Sequence, residues 1–172
     1  MAGFPEPEVG LVISYSYLWK EEEERGQVEG RKDRPCAIVL AIDNPDPETD
    51  GHKQVAVVPI THSLPHDPNV AVEIPPRVKE HLGLDADRSW VILEEVNVFT
   101  WPGFDLRPVK RGENRVDYGL LPPRFFDQLI AKFTELRAHG KVAAASRDEL
   151  APASPGNPHG GPTSGTRAEA VP

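Results

Sequence analysis

Two places in this chain combine residue types that suit the handling of a phosphate. Arg34-Pro35 sets a permanent cation and a rigid residue directly before an apolar run, and Thr61 sets a hydroxyl directly after another, Val55 to Ile60. A guanidinium can fork onto phosphate oxygens and stabilise the charge that builds on phosphorus during transfer. A hydroxyl where a strand meets a loop can donate to a phosphate oxygen or orient an attacking group. Each residue also has a plainer reading. Arg34 at a strand edge can snorkel or pair with Asp33, and a β-branched Thr61 can simply end a strand.

The pair contains no proton acceptor, because a guanidinium does not deprotonate in a normal working range. His62 and Glu95 are the candidate acid–base groups, imidazole because its proton exchange falls near neutrality. Strand alternation places residues 61 and 62 on opposite faces and returns Ser63 to the face of Thr61. His62 and His66 stand at the i, i+4 spacing of a metal pair, but Pro65 removes the helix that this spacing requires, so both read as solvated loop histidines.

The elements that must position these groups follow from periodicity. Val9, Leu11, Ile13, Tyr15 and Tyr17 alternate with smaller residues, which predicts a half-buried strand. Glu21 to Lys32 reads as an exposed, mobile loop of about a dozen residues, long enough to be functional. Arg34 to Ile42 predicts a strand buried on both faces, Asn44-Pro45-Asp46-Pro47 a turn, and Gln54 to Ile60 and Ala71 to Ile74 two further strands. Pro75-Pro76 opens a short helix carrying Val78 and Leu82, with Gly83 as its C-cap. Ser89 to Leu93 is a fifth strand, and Leu106 to Val109 and Val116 to Leu120 are weaker candidates. Pro122-Pro123 opens a helix whose stripe is Phe126, Leu129, Ile130, Phe133 and Leu136, closed by Gly140. Short strands without β-α-β alternation predict a mainly β fold, a small bent barrel with an inserted helix and a C-terminal helix.

Four ordered segments and the C-terminal helix resemble the MazF/PemK toxins. The segments are Gly10-Leu11-Val12-Ile13, Asp33-Arg34-Pro35-Cys36-Ala37-Ile38-Val39-Leu40, Val57-Val58-Pro59-Ile60-Thr61 and Ser89-Trp90-Val91-Ile92-Leu93, and the resemblance spans roughly residues 9 to 136. It implies an SH3-like β-barrel that forms a homodimer and cleaves single-stranded RNA, mRNA included, without a cofactor or metal. It also implies neutralisation by a cognate antitoxin and, at family level, DNA binding. The catalytic pair would be Arg34 and Thr61. Lys32, Arg31, Ser63, Asn97 and Trp19 would contact substrate, Asn97 through a base edge or phosphate and Trp19 by stacking on a base. Phe99, Trp101 and Tyr17 can stack in the same way or pack in a core. The loop from Glu21 to Lys32 should overhang the groove. There Glu21 to Glu24 would repel phosphate while Arg25, Arg31 and Lys32 attract it.

Composition bounds these expectations. Residues 1–140 are read as one domain, and residues 141–172, with no aromatic and no apolar periodicity, as a disordered Ala/Pro/Gly/Ser-rich tail. The net charge of -8 comes from 19 basic and 27 acidic residues. The tail's charges cancel, so the domain carries all of it, which argues against broad binding to nucleic acid and demands a local basic cleft. A lone cysteine, Cys36, excludes an intrachain disulfide and a cysteine zinc site. There is no HExxH helix or nucleotide-binding glycine loop. With no signal peptide and no long apolar run, a cytoplasmic protein away from membranes is expected. The competing expectation is a non-catalytic SH3-like barrel that binds a protein partner or RNA.

Overall fold

The computed structural model describes residues 3–26, 32–44 and 52–148. Eight strands and three α-helices follow in the order β1 (Leu11–Ser16), α1 (Lys20–Glu24), β2 (Asp33–Asp43), β3 (Lys53–Thr61), β4 (Ala71–Glu73), α2 (Pro76–Leu82), β5 (Trp90–Ile92), β6 (Glu95–Thr100), β7 (Asp117–Leu120), α3 (Pro123–Ala138) and β8 (Ala143–Ser146). The sheet path β4-β5-β3-β2-β1-β7 is antiparallel throughout. It does not close on itself among the described residues. The path forks at β3, whose Gln54 to Val57 pair with β6 and whose Ile60 and Thr61 pair with β5. β8 then joins β6 in parallel. Among the described residues, no helix is long and apolar enough to cross a membrane.

β1 is buried over all six residues, not on one face. Strand alternation sends its side chains into two separate cores. Val12 joins Ala37, Val39, Ala56, Val58 and Ile60 beneath α2 and α3. Leu11, Ile13 and Tyr15 join Cys36, Ile38, Val55, Val57, Phe99 and Trp101 on the other side. Phe99 and Trp101 therefore serve as packing, with Phe99 stacked on Tyr15 at 4.9 Å between ring centroids. Burial holds the Cys36 thiol protonated by pushing it far above its ordinary range. Gly103 fits here because its φ is +65° and a Cβ would meet the Phe99 ring at 2.9 Å.

Several expected elements differ from those observed. Leu106 to Val109 forms no strand, only a single bridge from Leu106 to Tyr15, and β2, expected to be buried on both faces, exposes Leu40 and Ile42. The charged run after Trp19 begins as a short helix, because the Trp19 amide donates to the Glu22 carboxylate at 3.2 Å and caps it. In α3 the deepest residues are Phe125, Leu129, Phe133 and Leu136, while Phe126 and Ile130 lie at the margin of the core. The expected disordered tail starts too early: residues 141–148 belong to the fold, and the remainder lies outside the described residues. β8 has little apolar bulk of its own. It is held by the free edge of β6 and by Arg147, which is fully buried and ion-paired to buried Asp105 at 2.9 Å. Of the expected turn at residues 44–47, only Asn44 is described.

Candidate phosphate-binding cleft

The register of the β2–β3 hairpin brings Arg34 and Thr61 together. Cys36 pairs with Pro59, Arg34 lies two residues before the first and Thr61 two residues after the second. In an antiparallel ladder this sets both side chains on one face at the same end of adjacent strands. They open into a cleft of about 560 Å³ with His62, Ser63 and Lys32, all of which line it. The expected arginine and threonine thus share a site, and Lys32 and Ser63 are beside them.

Arg34 is partly buried, with its guanidinium carbon 5.0 Å from the centroid of the Trp19 ring. No carboxylate among the described residues lies within ion-pair distance of it, and its buried Nε has no hydrogen-bond partner. The alternative pairing with Asp33 does not occur, because Asp33 faces Arg107 at 3.8 Å. Trp19 is therefore a platform for Arg34 through cation–π attraction, and that ring face is not open to a base. Thr61 Oγ1 accepts from the Ser63 amide at 3.1 Å, which leaves the hydroxyl proton free to donate into the cleft.

The other wall comes from α2 and the turn after it. Gly83 caps α2 in the left-handed region, φ +69°, and sends the chain back along the helix. Lys79 is buried, and its ammonium donates to Asp85 Oδ1 at 2.7 Å, to Ser89 Oγ at 2.7 Å and to the Asp87 carbonyl. Three donors meet three acceptors, so Lys79 is satisfied and is no substrate ligand. Its hydrogen bond, joined by one from His62, holds the Asp85 carboxyl below the usual carboxylate range. His62 Nε2 lies 3.1 Å from Asp85 Oδ1 and 2.9 Å from Oδ2.

β3 ends at Thr61 and residues 62 and 63 bend away. The strand alternation that set His62 on the far face therefore stops one residue too soon to apply. Residues 62 to 66 are not helical. His62, Asp85 and Asp87 bring donor atoms within 4.8 Å of one another, and the positive charge at this cluster is the Lys79 ammonium, so it is an ion-pair cluster.

Several expected contacts fall elsewhere. Asn97 is buried, and its amide clamps the Leu18 backbone, accepting from the nitrogen at 2.9 Å and donating to the carbonyl at 2.9 Å. Its side-chain oxygen and nitrogen are both engaged with Leu18 inside the fold, and Asn97 does not line the cleft. Glu95 accepts from the Lys20 amide at 3.0 Å and the Tyr17 hydroxyl at 3.3 Å. It borders a separate depression with Glu21, Glu24, Glu94 and Lys141, so it is not positioned as an acid or base for Arg34 and Thr61. The same depression takes Glu21 and Glu24 away from the cleft, which the acidic run was expected to overhang. Arg31 lies outside the described residues.

Lys110, Arg115 and Tyr118 complete the cleft and carried no sequence signal. They sit on or before β7, whose strand character is weak and whose place beside β1 is set only by tertiary pairing. Burial, opposed by a hydrogen bond with Ser14, keeps the Tyr118 hydroxyl protonated by raising it above its ordinary range. Lys32, Arg34 and Lys110 have no carboxylate at ion-pair distance among the described residues, whereas Asp117 faces Arg115 at 3.9 Å. The cleft thus holds three cations without a carboxylate partner, alongside Glu113, which has no ion-pair partner among the described residues. Compared with known protein families and with curated proteins, the chain matches none.

Proposed function

We propose that this chain is an endoribonuclease of the MazF/PemK type, with the sheet bent into an SH3-like barrel, acting on single-stranded RNA through the substrate's own 2′-hydroxyl. The observation that carries this reading is that Arg34, with no carboxylate partner, and Thr61, whose hydroxyl proton is free to donate, line one cleft at adjoining strand ends. RNA supplies its own nucleophile, so the protein must align the phosphodiester and stabilise the charge that develops on it. In this scheme Arg34 neutralises the non-bridging oxygens, and Thr61 donates to one of them. Lys32 and Lys110 extend the charge along the strand that enters. No metal or cofactor has a role in this scheme. A homodimer in the cytoplasm, held in check by a cognate antitoxin, belongs to the same proposal.

Two measurements test it. Induced expression is expected to arrest growth, and Arg34→Ala or Thr61→Ala to relieve the arrest. In single-turnover assays on mixed-sequence single-stranded RNA, loss of the guanidinium should slow cleavage by about 10²–10³-fold, the scale of one lost oxyanion donor. A harmless wild type that leaves the RNA intact would sink the reading. The remaining alternative would then be a non-catalytic barrel that binds a protein partner or RNA. The acidic surface formed by Glu21, Glu24 and Glu94 favours a basic protein in that case.

A further inference from the structure

The geometry points to His62 as the proton-transfer residue of this cleft, working through Nδ1 while Asp85 holds Nε2 and Lys79 holds Asp85. The assignment rests on the endoribonuclease reading and supplies what Arg34 and Thr61 lack. A guanidinium keeps its proton, and a threonine hydroxyl is too weak a base to take one from a ribose hydroxyl.

The orientation follows from what each group can donate. An ionised carboxylate only accepts, so the imidazole nitrogen facing Asp85 carries the hydrogen and the other nitrogen keeps its lone pair. Asp85 is fixed from behind by the Lys79 ammonium at 2.7 Å and by the Asp87 amide at 3.1 Å, both on Oδ1. Lys79 is itself immobilised by Ser89 and the Asp87 carbonyl. A buried cation thus sets a carboxylate, and the carboxylate sets a ring whose side chain is 50% exposed at the cleft. A base held by a third group is the general arrangement of nucleophilic and acid–base sites. His62 follows Thr61 directly, so the ring and the phosphate-binding pair occupy the same strand end.

Other charged groups line the cleft around it: Lys32, Asp33 and Arg34 at the start of β2, Lys79 on α2, Lys110, Glu113 and Arg115 before β7, and Asp117 on β7, with the Tyr118 hydroxyl beside them. Among the described residues, Asp85 is the ion-pair partner of His62. In the step assigned, the 2′-hydroxyl gives its proton to Nδ1 as the O2′–P bond forms. The P–O5′ bond breaks, the 5′-oxygen takes a proton from water, and His62 returns its proton to the hydroxide. The products are a 2′,3′-cyclic phosphate and a 5′-hydroxyl.

The test compares full-length wild type, His62→Gln, His62→Gly, Asp85→Asn, Arg34→Ala and Thr61→Ala on mixed-sequence single-stranded RNA, scoring cyclic-phosphate ends from pH 5 to 9. His62→Gln should lower kcat by about 10²–10⁴-fold, the usual share of general acid–base catalysis, with KM little changed. Wild type is expected to gain kcat from acid to neutral pH, and His62→Gln to lose that gain. Added imidazole should restore part of the rate of His62→Gly, and Asp85→Asn should lose less than His62→Gln. Urea midpoints equal to wild type would confirm that the exposed-histidine variants are folded. If His62→Gln keeps the wild-type kcat and pH profile while Arg34→Ala and Thr61→Ala are inactive, the role of His62 is overturned and the endoribonuclease reading stands. If wild type itself leaves the RNA intact, both are overturned.

Discussion

Arg34 rests on an indole ring instead of beside a carboxylate, and that choice of partner decides what the guanidinium can do. An aromatic face attracts a cation without cancelling its charge, so the site keeps the charge that a phosphate needs. Glu95 shows the opposite use of an ionisable group. Burial raises its carboxyl above the ordinary range, against the hydrogen bonds from the Lys20 amide and Tyr17 hydroxyl that lower it. Folding therefore favours the protonated form. The stability this gives is whole below the ordinary carboxylate range and is lost as pH rises through the raised value. Glu95→Gln should then match wild type in urea at about pH 4 and exceed it at pH 7. The substitution keeps the oxygen that accepts both hydrogen bonds, so equal midpoints at pH 7 would refute this account. At this scale the sequence pointed to Arg34, Thr61, Lys32 and Ser63, which line one cleft, because their types and strand-end positions are local properties. It could not show that Asn97 is spent on Leu18, 79 residues away, or that Lys79 and Asp85 brace His62. Those facts depend on what tertiary folding brings alongside.

At the scale of elements, the strands that carry the cleft were legible because β-branched runs between Gly, Pro and Asp state their own boundaries. β8 was not, because an Ala-rich stretch has no periodicity and takes its structure from its partner. The Arg147–Asp105 pair is the fastening, backed by the Tyr15 hydroxyl at 3.5 Å from Asp105 and the Phe104 ring under the guanidinium. Removing one member of a buried pair strands the other charge away from water. Arg147→Ala is expected to lower unfolding free energy by about 3–5 kcal/mol, read from urea denaturation. An unchanged midpoint would mean that β8 is an ornament on a fold complete at residue 140. The five-residue α1 was hidden for a related reason: a run of glutamates has no apolar face, and its start is fixed by one cap at Trp19.

The whole molecule carries a net charge of -8, yet its cleft gathers three cations that no described carboxylate pairs with, Lys32, Arg34 and Lys110. Binding of single-stranded RNA should accordingly be weak in sequence-blind terms and shallow in salt. Three phosphates neutralised correspond to a slope of roughly -2 in log affinity against log salt. Fluorescence anisotropy on Thr61→Ala, which keeps all three cations, measures this, and a slope several times steeper would place the RNA on a much larger basic surface. The order in which the sheet is assembled also has a consequence during synthesis. β1, β2 and β3 pair with their neighbours in sequence, so the hairpin end that holds Arg34 and Thr61 can form while the ribosome is still making the second half. The outer edge of β6 and the charge on Asp105 must wait for Arg147, 42 residues later. Until then a nascent chain presents an unpaired strand edge beside an unmatched carboxylate, the state in which strands of neighbouring chains pair wrongly. The cleft end of the molecule is thus made early, and its opposite edge is where a crowded ribosome would cause damage.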